Sequence, residues 1–219
     1  MSKPWSEVAW DKATPIFTKI TQHPFIKCLI DGTLSQKQFM FYIAQDSIYL
    51  SEFGKVLAGI SAKLSDSQQR SALLKFATDT VFVEQNLHNG FIDALKSNQK
   101  AKATPSCMLY TSFLQKQLAT QPIEVALAAV LPCFVIYKKT GDYIVQNQTV
   151  QANPYQNWID TYGGDDFAKA VQQAEGIANN LAEKANEAMQ QKMTDAYLTA
   201  SKLEWMFWNS AYELEKWPI

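Results

Sequence analysis

The sequence predicts an all-α fold, a single bundle of helices over residues 1–219, and three observations predict it. Apolar residues recur at three- and four-residue spacing along nearly the whole chain, no stretch alternates as a half-buried strand does, and the connectors are short. Eight glycines and eight prolines are few for 219 residues, and 47% of the residues are hydrophobic, the balance of an ordered globular protein. No internal repeat, low-complexity tract or linker divides the chain, so it reads as one domain.

The elements follow in order. The spacing predicts helices over 4–22, 24–31, 35–64, 67–98, 105–118, 122–148, 154–161, 165–190 and 193–216. His23-Pro24 marks the boundary between the first two, and Asp31-Gly32-Thr33 ends the second. Ser35 with Gln38 makes a capping box for the third, because each side chain can satisfy a backbone donor that the first turn leaves free. Its stripe runs Phe39, Tyr42, Ile43, Tyr49, Leu50, Phe53, Val56, Leu57, Ile60. The fourth carries Leu74, Ala77, Val81 and Phe91 on one face. Thr104-Pro105 and Gln121-Pro122 put proline in the first turn of the next two, where its missing N–H costs nothing. Tyr162-Gly163-Gly164 closes the short helix, and Asp165 can cap the long one after it. The last helix carries Tyr197, Ala200, Phe207, Trp208 and Ala211. Pro15 and Pro132 fall inside helical patterns and should kink them.

Bulk properties narrow the function. A net charge of −1 without a basic cluster argues against a nucleic-acid partner. The longest uncharged apolar run, 125–137, is too short to cross a bilayer, and the amino-terminal residues lack signal-peptide organisation, so no membrane partner is expected. Three cysteines, Cys28, Cys107 and Cys133, with no CxxC spacing, suit a reducing, cytoplasmic setting.

Three acids stand where helices should bury hydrocarbon. Asp46 is the position the third helix's stripe skips, Glu204 lies within the last helix's stripe, and Glu84 lies within the fourth with His88 one turn on. A buried carboxylate is costly unless it is neutralised, paired or used, so these acids are either structural pairs or the lead to a site. Cys133 follows Pro132, which removes a helical hydrogen bond to Ala128, and Tyr137 lies one turn on along the same face. A buried cysteine is commonly an inert small hydrophobe, and a cysteine nucleophile ordinarily has a histidine base. His23 sits at a helix boundary and His88 pairs with Glu84 by spacing, so carboxylates and phenols would have to manage the protons. Tyr49 follows Asp46 by three residues and Phe207 follows Glu204 by three, and with Tyr110 and Tyr162 they offer flat walls with hydroxyl handles. Acids, rings and a thiol together describe a pocket for a small, flat, nitrogen-rich heterocycle.

These residues resemble the thiaminase II (TenA) family. The matching stretches are His23-Pro24-Phe25 with Asp31-Gly32-Thr33-Leu34, Phe41-Tyr42-Ile43-Ala44-Gln45-Asp46 with Tyr49-Leu50, Glu84 with Leu87-His88, Leu131-Pro132-Cys133 with Tyr137, Trp158-Ile159-Asp160-Thr161-Tyr162, and Glu204 with Phe207-Trp208 and Ala211-Tyr212. Each is weak alone, and their common order along the chain is the signal. The resemblance implies a haem-oxygenase-like helical bundle, a homotetramer, no cofactor and no metal. It implies hydrolysis at the methylene carbon on the pyrimidine ring of thiamin or its breakdown products. Cys133 falls at the family's nucleophile position, Glu204 would handle a proton at a ring nitrogen, and Asp46 would bind the exocyclic amino group. Tyr49, Tyr110, Tyr137, Tyr162 and Phe207 would hold the pyrimidine substrate and its leaving group.

The chain departs from the family pattern at Ser47 and Val135, where aromatic residues are frequent, and at Lys138 and Lys139, near where an acid is common. These changes bear on the leaving group more than on the ring chemistry. Two other readings stay open at the level of sequence. A metal- or haem-dependent oxidase of the same fold would use His23, or the Glu84–His88 pair, whose spacing of four differs from the Glu-x-x-His of di-iron bundles. A non-catalytic pyrimidine-binding protein would keep the pocket without the turnover.

Overall fold

Helical periodicity over this much of the chain leaves each element with one apolar stripe, and the stripes are buried by packing helix on helix. A computed structural model describes residues 3–95 and 101–219, the side chains of 83–95 excepted. The described residues form α1 (Trp5–Thr21), α2 (Pro24–Ile30), α3 (Gln36–Lys63), α4 (Ser67–Leu95), α5 (Pro105–Thr120), α6 (Ile123–Asn147), α7 (Gln156–Gly163), α8 (Asp165–Glu183) and α9 (Glu187–Glu213). No strand occurs among them, so the all-α fold expected from the sequence is the one observed. None of these helices is long and apolar enough to cross a membrane.

Most helix starts lie where local chemistry puts them. The Gln38 N–H donates to Ser35 Oγ at 3.2 Å while the Ser35 hydroxyl donates to Gln38 Oε1 at 2.7 Å, closing the end of α3. His23 caps α2 by accepting from the Phe25 N–H, and Thr104 caps α5 by accepting from the Cys107 N–H. Two expectations are corrected. Asp165 does not cap α8: Gly164 is the N-cap, and Asp165 with Asp166 lies in the first turn, where negative charge faces the positive end of the helix dipole. The expected break between 190 and 193 falls instead at 184–186. There Asn186 accepts from the Met189 N–H, and Gln190 reaches back to the Ala182 carbonyl at 2.8 Å. Pro15 and Pro132 lie inside continuous helical runs, so the missing N–H groups end neither α1 nor α6.

The site is positioned by α6. Residues 125–132 are all buried, a helix apolar nearly all round, and α6 packs against α9, α7 and α8 with further contacts to α1, α2, α3 and α5. Gly141 sets its distance from α7. A Cβ there would meet the Tyr162 carbonyl carbon at 2.6 Å and the Gly163 nitrogen at 2.7 Å, so only glycine lets the two backbones touch. That approach lays the Tyr162 ring on Tyr137, with ring centroids 4.9 Å apart.

Candidate active site

The middle of α6 faces a cavity of about 540 Å³ walled by α3, α4, α6, α7 and α8. Four of the residues singled out in the sequence line it: Asp46 from α3, Cys133 and Tyr137 from α6, and Tyr162 from α7. Leu50, Phe53, Phe76, Phe134 and Phe167 make its apolar walls. Cys133 is a free thiol and only half-buried, part of its surface being open to this space. Asp46 is only 1% exposed.

The other four residues, Glu204, Tyr110, Tyr49 and Phe207, are buried beside this cavity, near the Cys133 thiol. Tyr49 packs on Tyr110 with centroids 4.8 Å apart and on Phe207 at 5.7 Å. The Tyr110 hydroxyl donates to Glu204 Oε1 at 2.7 Å, which fixes the carboxyl. Glu204 is 1% exposed, and burial pushes its pKa up to about 8. The Tyr110 hydrogen bond pulls it down, and the negative Asp46 adds to the rise. At neutral pH Glu204 is therefore mainly a neutral acid with a proton to give.

Burial also raises the Cys133 thiol well above its ordinary value, and the Glu204 carboxylate raises it further. The Tyr49 hydroxyl opposes this by offering a hydrogen bond to the thiolate, and Asp46 adds a second negative charge. Tyr49 Oη is buried beside the thiol and the Tyr110 hydroxyl, yet meets neither at full hydrogen-bond geometry. These effects keep Cys133 mainly a neutral thiol at neutral pH.

Behind Tyr137 lies an aromatic layer whose residues, Tyr42, Trp158 and Trp208, belong to the matching stretches but carry no assigned role in the sequence. The Tyr42 hydroxyl donates to the Tyr137 hydroxyl at 3.1 Å and accepts from Trp158 Nε1 at 3.3 Å, while the Tyr42 ring stacks on Trp208 at 5.1 Å. These contacts hold Tyr137 in one rotamer, which a loose wall residue would lack. The rim of the cavity was missed too. Lys75 with Asp79 on α4, and Lys169 with Asp166 on α8, form ion pairs at 2.7 and 3.1 Å beside its opening. In the sequence each reads as an ordinary surface pair, and only the approach of α4 to α8 makes them a rim.

The remaining candidates have other places. Glu84 and His88 fall among side chains outside the described residues. His23 is a helix cap whose Nε2 lies 3.3 Å from Asn209 Oδ1. Cys107 is fully buried against the Gln45 carbonyl, and Cys28 is half-buried against the core. Lys138 bonds Asp142 and the Gly163 carbonyl, so it ties α6 to the end of α7. Val135 is buried at 2% exposure. Among the described residues no group of three His, Cys, Asp or Glu side chains gathers in a metal-holding arrangement.

Comparison with known proteins gives a consistent picture. The model of the TENA/THI-4/PQQC family matches residues 10–214. The chain is 32% identical over 200 residues to the aminopyrimidine aminohydrolase of Bacillus subtilis, covering 89% of this chain and 84% of that protein. Among solved structures, a TenA homologue from Pyrococcus furiosus superposes with a TM-score of 0.89 at 18% identity over 94% of this chain and 99% of that one, a likeness of fold. A TenA homologue from P. horikoshii superposes at 0.85 with 25% identity, covering 96% of this chain and 99% of that one.

Proposed function

The chain belongs to the TENA/THI-4/PQQC family, and we propose on that premise that it is an aminopyrimidine aminohydrolase of the thiaminase II type. It hydrolyses aminomethyl-aminopyrimidine, a thiamin breakdown product, or thiamin itself, to hydroxymethylpyrimidine in thiamin salvage. One observation carries the reading. A thiol and a buried carboxylate share one aromatic cavity, with a second carboxyl, bonded to the Tyr110 hydroxyl, buried beside them.

The residues take these roles. Asp46 accepts from the exocyclic amino group of the pyrimidine and sets the ring's orientation. Tyr137 and Tyr162 flank the ring, and Tyr49 and Phe207 back the inner wall. Glu204 gives its proton to a ring nitrogen, which makes the ring electrophilic enough for sulfur to add. The Tyr110 hydroxyl then stabilises the carboxylate left behind. Cys133 forms a C–S bond to the ring as its proton passes to the carboxylate that Glu204 has become, which hands it on to the departing amine. The electron pair returned through the ring expels the amine, or the thiazole, from the methylene carbon. Water adds at that carbon and its proton goes to the sulfur as the C–S bond breaks, while the ring nitrogen returns its proton to Glu204. A high thiol pKa makes the sulfur a strong nucleophile once its proton is gone and a poor leaving group, so its departure at the end needs a proton delivered to it.

The same reading carries a homotetramer in the cytoplasm built from one helical domain per chain. Exposed Leu74, Phe82, Met108 and Leu109 supply apolar surface for such an assembly to cover. The decisive experiment offers the purified protein aminomethylpyrimidine and thiamin side by side. Wild type should release hydroxymethylpyrimidine, and Cys133→Ala should bind the pyrimidine with less than about one hundredth of the turnover. Binding without turnover by wild type would make the protein a pyrimidine binder instead.

A further inference from the structure

Glu204 depends on one hydrogen bond from Tyr110, and Tyr110 depends on where α5 begins. That start is held from two sides. On the α3 side, Gln45, next to Asp46 and only 4% exposed, accepts from the Thr104 N–H at 2.9 Å and donates to the Lys102 carbonyl at 3.0 Å. On the α9 side, the Glu215 carboxylate accepts from the Ser106 N–H and from the Ser106 hydroxyl, both at 2.9 Å. Trp217 Nε1 adds a bond to the Ala103 carbonyl at 3.0 Å. Ser106 and Tyr110 are one turn apart on the buried face of α5.

The route by which Glu215 reaches α5 is unusual. The chain leaves α9 through Leu214 at φ 52, ψ 50, a left-handed position that costs a leucine more than a glycine. The Glu215 N–H donates back to the Ser210 carbonyl at 2.9 Å, which closes the helix end and turns the Glu215 side chain toward α5. Thr104 already caps α5, so the helix has its cap without Glu215. What the carboxylate adds is a tie between α5 and the segment that follows α9, the helix that bears Glu204.

We propose that Glu215 is a positioning residue for the reaction: by gripping Ser106 it holds the Tyr110 hydroxyl on the Glu204 carboxyl. The inference rests on the proposed role of Glu204 as proton donor. The titratable groups close enough to Glu204 to interact with it electrostatically are Asp46 and Tyr49 from α3, Tyr110 from α5, Cys133 and Tyr137 from α6, Tyr162 from α7 and Tyr197 from α9. Of these, Tyr110 supplies the hydrogen bond to Glu204, so its displacement raises the proton affinity of that carboxyl. Loss of the Glu215 charge by itself would act in the opposite direction, since removing a nearby negative charge lowers a carboxyl pKa.

The test is an infrared pH titration of the Glu204 carboxyl in the full chain, with the band assigned by its disappearance in Glu204→Gln. Tyr110→Phe should raise the Glu204 pKa by about one pH unit, a tenfold change in proton affinity. Glu215→Ala should raise it by a similar amount, and Glu215→Gln, which keeps one acceptor for Ser106, by less. Glu215→Ala should add nothing in the Tyr110→Phe background, because its effect passes through that hydroxyl. An unchanged or lowered Glu204 pKa in Glu215→Ala overturns the proposal. So does a full further rise in the double variant, and if the alanine variant fails to fold, an unshifted Glu215→Gln decides against it. The band is read without turnover, so a wild type that releases no hydroxymethylpyrimidine sinks the proposed function and leaves this test standing.

Discussion

Replacing Glu204 by glutamine should make the protein more stable and less active, and the stability gain should depend on pH in a defined direction. The carboxyl's folded pKa is raised from its ordinary 4.5 to about 8, chiefly by burial. Below about pH 4.5 the folded and unfolded chains both hold the proton, and the site contributes no penalty. Between 4.5 and 8 the unfolded chain has released it while the folded chain still holds it, so wild-type stability falls as pH rises. Above 8 the loss levels off. At 1.36 kcal/mol per pH unit, the gap corresponds to about 5 kcal/mol. Glutamine does not titrate and still accepts from the Tyr110 hydroxyl, so Glu204→Gln should escape that loss. Urea unfolding at pH 4.5, 6.5 and 8.5, at constant ionic strength, should show the variant's advantage widening from near zero to several kcal/mol. Turnover should fall about 10²- to 10⁴-fold, as expected for a lost general acid. A stability difference that stays flat with pH would refute the claim that the fold holds this acid neutral.

Two further outcomes follow from the same geometry. Gly141→Ala drives a methyl into the Tyr162–Gly163 backbone, so it should cost about 1–3 kcal/mol and raise KM by displacing Tyr162, read from thermal melts and steady-state kinetics. A variant with wild-type melting and KM would show that α6 and α7 have room to separate. Alkylation of Cys133 by iodoacetamide at pH 7 should be slower than that of a free thiol, speed up as pH rises, and be blocked by bound pyrimidine, followed by peptide mass analysis. Rapid, pH-independent modification would mean that a thiolate stands in the cavity.

What the sequence made legible, and what it hid, follows from where each signal resides. Asp46 and Glu204 were visible because burial of a carboxylate breaks an apolar stripe, a pattern local to one helix, and both are buried at 1% exposure. The α8–α9 boundary was not, because Lys184 and Ala185 are good helix formers with no glycine or proline among them. The chain turns there because α9 folds back to pack on α1 and α6, and only Asn186 marks the place locally. The rim pairs and the walls from α4 and α8 were hidden for a related reason: no residue in one helix announces which other helix will face it. The division between Asp46, Cys133, Tyr137 and Tyr162, which line the cavity, and Tyr49, Tyr110, Glu204 and Phe207, buried beside it, is of this kind. It also carries a chemical consequence. An acid open to solvent would have a pKa close to the ordinary carboxylate range. Glu204, 1% exposed and bonded to Tyr110, is kept dry, and in the proposed reaction that holds its proton in place for the ring nitrogen.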